Sequence, residues 1–287
     1  MPAIVHFWGT RGSIPTPNAA TRIYGGNTPC VEVRFDDAVF ICDAGSGIRE
    51  LGRDLQSRSP RPKELHLFIT HLHWDHIHGF PFFAPARDSE ATIRIYGAGE
   101  ADRSRHELLS GQMQSPHFPV PFFGKGAHLV PSHVTPDGVE IAGVNVRSFA
   151  LNHPGDCHGF AFEKAGCKIV YATDNELDIP LGSVAGVRVA PKALAAFVRG
   201  ADLLIADAQY DDAQYNFRKG WGHSSAFSVV DLAVQAGVKR LALFHHDPDA
   251  TDADLESRVR MCQQRALIQG ANQLVVFAAR EGVALKF

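Results

Sequence analysis

Four histidines and one aspartate occupy eight consecutive positions in the segment His71-Leu-His73-Trp-Asp75-His76-Ile-His78. The segment follows an apolar run that predicts a buried strand. In an extended chain His71 and His73 point in the same direction, and Asp75 and His76 follow where the chain turns into a helix. Because burying so many polar rings without a partner costs free energy, this density is typical of a metal site. Imidazole and carboxylate ligands favour zinc, with manganese or iron also allowed.

One segment cannot surround two metal ions, so further ligands are expected elsewhere in the chain. Three candidates each follow a strand-like run: His153, Asp174 and His245. Because α/β folds place ligands beyond the carboxyl ends of strands, we expect these three residues to converge on the histidine segment. His246 competes with His245 for the last position, and we prefer His245.

The elements that must position these residues are mostly strands. Apolar runs punctuated by Gly or Asp predict strands at residues 4–8, 30–35, 38–42, 65–70, 93–96, 144–151, 160–163, 168–173, 203–206, 241–244 and 274–278. Helical patterns cover residues 47–56, 99–109, 191–199, 225–236 and 252–269, with Ser224 or Ser225 and Thr251 as candidate N-caps. Strands followed by a few helices in each half predict two sheets packed face to face with helices outside. We interpret residues 1–287 as one domain.

Composition limits the classes of function. The chain is 45% hydrophobic and 21% charged, which is usual for a soluble protein with a sizeable core. A net charge of -3 without a dense Lys or Arg run disfavours long nucleic acid as a partner. Five cysteines without a close C-x-x-C pair predict reduced, mostly buried thiols. No secretory signal or membrane span is recognisable, so we expect a cytoplasmic protein without a membrane partner.

Residues 111–136 differ from the rest of the chain, with five prolines and three histidines. They are interpreted as an ordered loop, either a proline-stiffened surface excursion or a lid over the substrate. Aromatic and basic residues in and near this loop could line an apolar mouth or belong to the core: Trp74, Phe82, Phe83, His117, Phe118, Phe122 and Phe123.

The ordered set of motifs resembles the metallo-β-lactamase fold superfamily over almost the whole chain. The resemblance rests on Asp43 in Cys-Asp43-Ala-Gly, on the H-x-H-x-D-H segment, and on His153, Asp174 and His245. It implies an α/β fold, the four-layer αββα metallo-β-lactamase-like sandwich, and two divalent metal ions. By resemblance, one ion is held by His71, His73 and His153, the other by Asp75, His76 and His245, and both by a bridging Asp174. Asp43 would support the site from behind.

Two further features resemble the ribonuclease Z-like phosphodiesterase branch of that superfamily. They are Asp207 in Leu-Leu-Ile-Ala-Asp207 and His223 in Gly-Trp-Gly-His223-Ser-Ser. In that branch the acidic residue orients the histidine, which assists the leaving group. The segments around Arg11, Ser13 and Asn27 also resemble the branch. Those three residues could donate to a phosphate or position the metal loops, although glycine-rich turns explain them equally well.

The resemblance separates this chain from other chemistries in the superfamily. Several true β-lactamases carry a cysteine ligand where this chain has Asp174, and flavodiiron oxidoreductases replace the second histidine of the segment with glutamate. Antibiotic hydrolysis and redox chemistry are therefore disfavoured.

We predict hydrolysis of a small phosphodiester, such as a cyclic nucleotide, by attack of a metal-bridging hydroxide. Asp75, His223 and Asp207 are the predicted catalytic residues. Ribonuclease Z proper has a long glycine- and proline-rich arm, and none is recognisable between Asp174 and His245. Three alternatives stay open: thioester or carboxyl hydrolysis of the glyoxalase type, tRNA 3′ endonuclease activity, and a metal-loaded nucleotide-binding module without catalysis. The resemblance also allows a homodimer.

Overall fold

Two mixed sheets form the frame of the molecule. The computed structural model describes residues 3–97, 107, 109, 111–116, 118–119, 126–177 and 188–287. Within these residues fourteen strands form two seven-stranded sheets, one in the order β14-β1-β2-β3-β4-β5-β6 and the other in the order β13-β12-β11-β10-β9-β8-β7. The strands are β1 Ile4–Gly9, β2 Cys30–Phe35, β3 Ala38–Cys42, β4 Glu64–Phe68, β5 Thr92–Gly97, β6 His128–His133, β7 Val139–Ile141, β8 Val144–Ala150, β9 His158–Lys164, β10 Cys167–Ala172, β11 Leu203–Asp207, β12 Arg240–Phe244, β13 Val275–Ala278 and β14 Ala284–Lys286.

The helices cover the outer faces of the two sheets. They are α1 Ile48–Ser57, α2 Trp74–Ile77, α3 Lys192–Val198, α4 Asp212–Asn216, α5 Ala226–Gln235 and α6 Asp252–Ile268, with short 3-10 turns at Ala19–Thr21, Phe80–Phe82 and Ala84–Arg87. Ser225 caps α5 and Thr251 caps α6, as predicted, because each side chain accepts a hydrogen bond from a backbone N–H of the first turn. None of the helices in the described part of the chain is long and apolar enough to cross a bilayer.

Three apolar clusters separate the layers. The central cluster joins the facing sides of both sheets, with Phe40 and Phe68 from one sheet against Phe160 and Phe162 from the other. A second cluster packs α3, α5 and α6 on the outer face of one sheet, and a third packs α1 on the outer face of the other. The arrangement is therefore helix, sheet, sheet, helix, and the predicted αββα class is confirmed.

The parallel strands of each sheet direct their carboxyl ends to the same edge. Strands β3, β4, β5 and β6 run parallel in one sheet, and β10, β11, β12 and β13 run parallel in the other. Most of their residues are buried, as expected for strands covered on both faces. Asp43, His71, Asp174, Asp207 and His245 all lie at or just beyond the ends of these strands.

The main difference from the predicted elements concerns residues 111–136. Residues 128–133 form β6, which pairs in parallel with β5, so the prediction of a loop over the whole segment is wrong. Pro131 favours a loop when only the sequence is considered, but it is tolerated in β6 because β6 is an edge strand. Strands β7 and β14, each three residues long, were also missed. The predicted helix 99–109 lies outside the described residues except for positions 107 and 109, which are helical.

A substitution in the central cluster tests the packing that positions the histidine segment. Phe68, the last residue of β4, is fully buried and lies 5.3 Å from the Phe160 ring and 5.1 Å from the Phe162 ring. Phe68→Ala should lower the free energy of unfolding by about 3–5 kcal/mol, because it removes apolar contacts and leaves a cavity. Phe68→Leu should cost less than half as much. Urea unfolding measures both, and an equal loss in the two variants would contradict this packing.

Candidate active site

The residues predicted as metal ligands converge at the edge where the two sheets meet. His71 and His73 follow β4, Asp75 and His76 lie within α2, His153 follows β8, Asp174 follows β10 and His245 follows β12. Their side-chain nitrogen and oxygen atoms form overlapping groups within 4.8 Å of one another: His71, His73 and His153; His71, His76 and Asp174; Asp75, His76 and His245. Residues from four separate parts of the chain therefore share one site.

Asp174 lies between the two predicted ligand sets. Its Oδ2 is 3.6 Å from Nε2 of His71 and 3.7 Å from Nε2 of His153. Its Oδ1 is 3.3 Å from Nε2 of both His76 and His245. Burial opposes the charged carboxylate, but the surrounding histidines, His245 first, hold its pKa well below the usual range. One carboxylate thus offers one oxygen to each set, which is what a bridging ligand requires.

Outer hydrogen bonds fix the orientation of four of the imidazole rings. His76 Nδ1 donates to Asp43, His153 Nδ1 to the Gly222 carbonyl and His245 Nδ1 to Gln209, over 2.8, 2.8 and 3.0 Å. His71 Nδ1 lies 3.0 Å from the Thr70 hydroxyl, which itself donates to Asp43. Each ring therefore presents Nε2 to the centre, and ligating histidines are usually held through their second nitrogen in this way.

The central atoms fit divalent metal ions. Nε2 of His71 and of His76 is buried and has no hydrogen-bond partner among the described residues. Burial lowers the pKa of His71 well below its usual value, which keeps the ring neutral and able to ligate. Ligand atoms on a tetrahedral zinc at about 2.1 Å lie roughly 3.4 Å apart. The distances around Asp174, and the 3.1 Å between Asp75 Oδ2 and His245 Nε2, are close to that value.

Asp43 supports the centre from behind, as expected. Its buried carboxylate accepts hydrogen bonds from His76, from the backbone N–H and hydroxyl of Thr70, and from the Tyr171 hydroxyl at 2.8 Å. Asp43, Asp174 and His245 all have φ between 50° and 62°, a region that residues with a Cβ rarely adopt. Such positions persist only where surrounding contacts enforce them, and they concentrate at functional sites.

The Asp207 and His223 pair lies beside both ligand sets. His223 Nδ1 donates to Asp207 Oδ2 over 2.8 Å. The His223 ring centroid is 4.9 Å from that of His245 and 5.1 Å from that of His153. Burial lowers the pKa of His223, but the Asp207 carboxylate outweighs it and raises the pKa to about 9. The Asp207 carboxylate therefore favours the doubly protonated form of the ring, which can donate from Nε2.

The loop that carries His223 is itself fixed by a residue that sequence reasoning missed. The buried carboxylate of Glu176 accepts hydrogen bonds from the backbone N–H groups of Gly220 and Gly222, each 2.8 Å, and from the Tyr215 hydroxyl. Gly222 has φ +87°, and a Cβ there would lie 2.3 Å from His153 Nδ1. The loop thus orients His153 through the Gly222 carbonyl. It also positions His223, because His223 directly follows Gly222 in the chain.

The N-terminal motifs contact the loops that carry the candidate metal ligands, which is one of the two roles expected for them. Arg11 is fully buried, and its guanidinium donates to the carbonyls of Asp247 and Ala250 in the chain after His245. The Ser13 N–H donates to Asp75 Oδ2 over 2.8 Å. Asn27 accepts from the Ser46 hydroxyl and contacts Glu281.

The remaining histidines and aromatic residues singled out in the sequence lie in different surroundings. His246, the competitor of His245 for the last ligand position, is fully buried and donates from Nε2 to the Ala279 carbonyl. His78 hydrogen-bonds to the Trp74 carbonyl of its own turn. Phe83 is fully buried in the core, whereas Trp74 and Phe82 are exposed. Phe118 contacts Phe82, and His117, Phe122 and Phe123 lie outside the described residues.

Comparison with known proteins agrees with this geometry. The family model described as the beta-lactamase superfamily domain matches residues 39–246, which include every residue of the cluster. The chain belongs to the beta-lactamase superfamily. Its family and its cluster of buried histidines and aspartates identify it as a metal-dependent hydrolase, and the predicted resemblance is confirmed.

Within the superfamily the relatives cover most or all of the chain. Ribonuclease Z of Thermoplasma acidophilum is 24% identical, covering 87% of this chain and 88% of its own. The metallo-beta-lactamase fold protein YhfI from Bacillus subtilis superposes with a TM-score of 0.71 at 18% identity, covering both chains completely. A diphosphatase from the PhnP family gives a TM-score of 0.70 at 18% identity, covering 99% of this chain and 98% of its own. The two structures show the fold.

Removing the central carboxylate tests the cluster as a metal centre. Asp174→Ala should weaken metal binding by more than about 100-fold, since loss of an outer partner of a ligand already costs roughly 10- to 100-fold. Elemental analysis after dialysis against a weak chelator measures the change. Asp37→Ala, in an exposed turn, is the matched control. Equal metal content in both variants would show that Asp174 is not a ligand.

Proposed function

We propose that this protein is a dinuclear metal-dependent phosphodiesterase that acts on a small phosphodiester, such as a cyclic nucleotide. The observation that carries the proposal is the hydrogen-bonded Asp207 and His223 pair beside both ligand sets. A hydrolase of thioesters needs the metal ligands but has no need of this pair. The names of the two relatives, a ribonuclease and a diphosphatase, also support chemistry at phosphorus.

The metal ions would be held by the residues that converge at the sheet edge. His71, His73 and His153 would hold one ion, Asp75, His76 and His245 the other, and Asp174 would contact both. Zinc is the ion that this set of nitrogen and oxygen donors favours, with manganese and iron as alternatives. When bound, two such ions lower the pKa of a shared water and neutralise charge on a phosphoryl oxygen.

The side chains around the ions have separate tasks in the proposed reaction. Asp75 Oδ2 accepts from the Ser13 N–H and faces Nε2 of His245, so its position is fixed before substrate binds. His223 donates a proton or a hydrogen bond to the leaving oxygen. Asp207 accepts from the Nδ1–H of His223 and stabilises the doubly protonated ring, in which the Nε2–H is the group that donates.

A small substrate agrees better with the charge of the chain than tRNA does. The net charge is -3 and the sequence has no dense basic run, whereas long nucleic acids are bound through many Lys and Arg contacts. The names of the ribonuclease Z relatives favour tRNA 3′ processing as the second candidate. Assays of one preparation with cyclic nucleotides, a tRNA precursor and an acylglutathione separate these activities. Tight nucleotide binding without any product would instead favour the non-catalytic module.

The proposed location is the cytoplasm, because five cysteines, an odd number without a close C-x-x-C pair, do not indicate a disulfide framework. We also propose that the protein is a homodimer, and the mass of the purified protein in analytical ultracentrifugation tests this.

Substitution of the proposed proton donor tests the reaction directly. His223→Ala should lower kcat for bis-p-nitrophenyl phosphate or a cyclic nucleotide by about 10²- to 10⁴-fold, the usual contribution of a positioned acid or base. Bound metal should be retained, because His223 is not among the proposed ligands. Steady-state kinetics and elemental analysis are measured on the same sample.

The matched control is His78→Ala, since His78 lies in the same histidine segment but hydrogen-bonds to the Trp74 carbonyl. Its kcat should stay within about 3-fold of wild type. Normal turnover by His223→Ala would show that the proton donor is misassigned.

A further inference from the structure

Residues 10–13, the N-terminal segment, lie against the chain that follows β12. The backbone N–H of Gly12 donates to the His246 carbonyl over 2.8 Å, and the His246 N–H donates to the Thr10 carbonyl over 3.0 Å. Arg11 and His246 thereby form a parallel bridge. The segment therefore runs alongside His245, a proposed metal ligand, although the two are far apart in sequence.

Gly12 is packed against the imidazole ring of His245. A Cβ atom at position 12 would lie 2.5 Å from both Nδ1 and Cε1 of that ring, closer than a Cβ approaches a non-bonded atom in proteins. The φ of Gly12 lies outside the left-handed region, so the glycine is needed for space and not for its dihedral angle. A larger residue must therefore displace either the segment or the ring.

The N-terminal segment is held too firmly to yield to such a side chain. Arg11 is fully buried, and its guanidinium donates to the Gly25 carbonyl and to two carbonyls in the chain after His245. The backbone N–H groups of Thr10 and Arg11 donate to the Asn27 carbonyl, 2.9 Å each. Displacement of the segment would leave buried donors without partners, which costs free energy.

The His245 ring is also fixed on several sides. Its Nδ1 donates to Gln209 over 3.0 Å, and the ring stacks on those of His76 and His223, with centroids 5.4 and 4.9 Å away. Its Nε2 lies 3.1 Å from Asp75 Oδ2. A shift of the ring would therefore move Nε2 away from the ligand set that it shares with Asp75 and His76.

Ser13 adds a second contact with the same ligand set. Its backbone N–H donates to Asp75 Oδ2 over 2.8 Å, and its φ is 64°, in the left-handed region. The segment thus contacts two of the three residues proposed for one ion, His245 through Gly12 and Asp75 through Ser13.

The other ligand set depends on different parts of the chain. His71 Nδ1 lies 3.0 Å from the hydroxyl of the preceding threonine, and His153 Nδ1 donates to the Gly222 carbonyl. His73 Nδ1 lies 3.1 Å from His153 Nε2. Within the described residues, none of the hydrogen bonds and ring contacts of these histidines involves residues 10–13.

We propose that Gly12 and Ser13 are positioning residues that set the affinity of only one metal ion, the one held by Asp75, His76 and His245. The two ions are then bound with separately adjustable affinities, although Asp174 contacts both. The inference rests on the ligand sets of the proposed function, and it is tested by bound metal and not by turnover.

Calorimetric titration of the metal-free protein with zinc tests the inference. Wild type should bind two equivalents. Gly12→Ala should weaken one of them by about 10- to 100-fold and the other by less than about 3-fold, because loss of an outer contact of a ligand usually has the larger effect. His153→Ala identifies the affected ion, since it removes a ligand from the other set. In the double variant both equivalents should be weakened, because effects at separate sites add.

Two exchanges of glycine for alanine are the matched controls, and both should bind the two ions as wild type does. At Gly111 a Cβ would meet no atom within 4 Å. At Gly52, in α1, it would lie 3.0 Å from Ala84 N and from the Phe83 ring, so Gly52→Ala disturbs packing without touching a ligand.

Circular dichroism of the metal-free proteins shows whether Gly12→Ala is folded. Arg11→Lys gives the same test if it is not, because this variant keeps Gly12 but loses guanidinium hydrogen bonds that fix the segment. It should weaken the same equivalent in the same direction.

Three results would decide against these claims, and they differ in what they refute. Weakening of both ions to the same extent by the variants of the segment, or of neither ion, would refute the inference and leave the phosphodiesterase intact. Failure of wild type to bind any metal would refute the ligand sets and the inference with them. Two bound ions without hydrolysis of any phosphodiester would refute the proposed function and leave the inference intact.

Discussion

The structure depends on one constraint, which is that buried imidazole rings must present Nε2 to a common centre while their Nδ1 atoms stay satisfied. A buried polar atom without a partner costs about 1–3 kcal/mol, so each outer hydrogen bond matters. Asp43 meets this requirement for two rings at once, directly for His76 and through Thr70 for His71. The inner nitrogens of those two rings are left without a hydrogen-bond partner among the described residues, and metal ligation would satisfy them.

The sandwich supplies this centre because the ends of its parallel strands meet at one edge. Strands β3 and β4 bring Asp43 and His71 from one sheet, and β10 and β12 bring Asp174 and His245 from the other. The N-terminal segment connects the two sheets. Arg11 donates a hydrogen bond to the Asp247 carbonyl in the chain after β12, and the Ser13 N–H donates to Asp75 in the histidine segment. A substitution in this N-terminal segment should therefore alter metal binding, although the segment lies far from the ligands in sequence.

The features of the fold and the site that could be predicted from the sequence are those that depend on residues close together in the chain. The density of the histidine segment, and the Asp or His that follows a strand, are short-range signals, so the cluster and the layered fold were both predictable. Tyr171, Gln209 and Glu176 were not, because their roles come from contacts 128, 36 and 44–46 residues away in sequence. Strand β6 was missed because its proline and histidines resemble a loop, whereas pairing with β5 and packing of Leu129 against the third apolar cluster involve residues distant in sequence.

The central claim, that the histidine and aspartate cluster is a two-metal hydrolytic centre, is tested most directly by elemental analysis and phosphodiester turnover on one preparation. The account predicts two equivalents of divalent metal per chain, loss of turnover when a chelator removes them, and recovery when zinc or manganese is returned. Full turnover by the metal-free protein would contradict it. Two bound ions without hydrolysis of any phosphodiester would leave the fold standing and refute the proposed reaction.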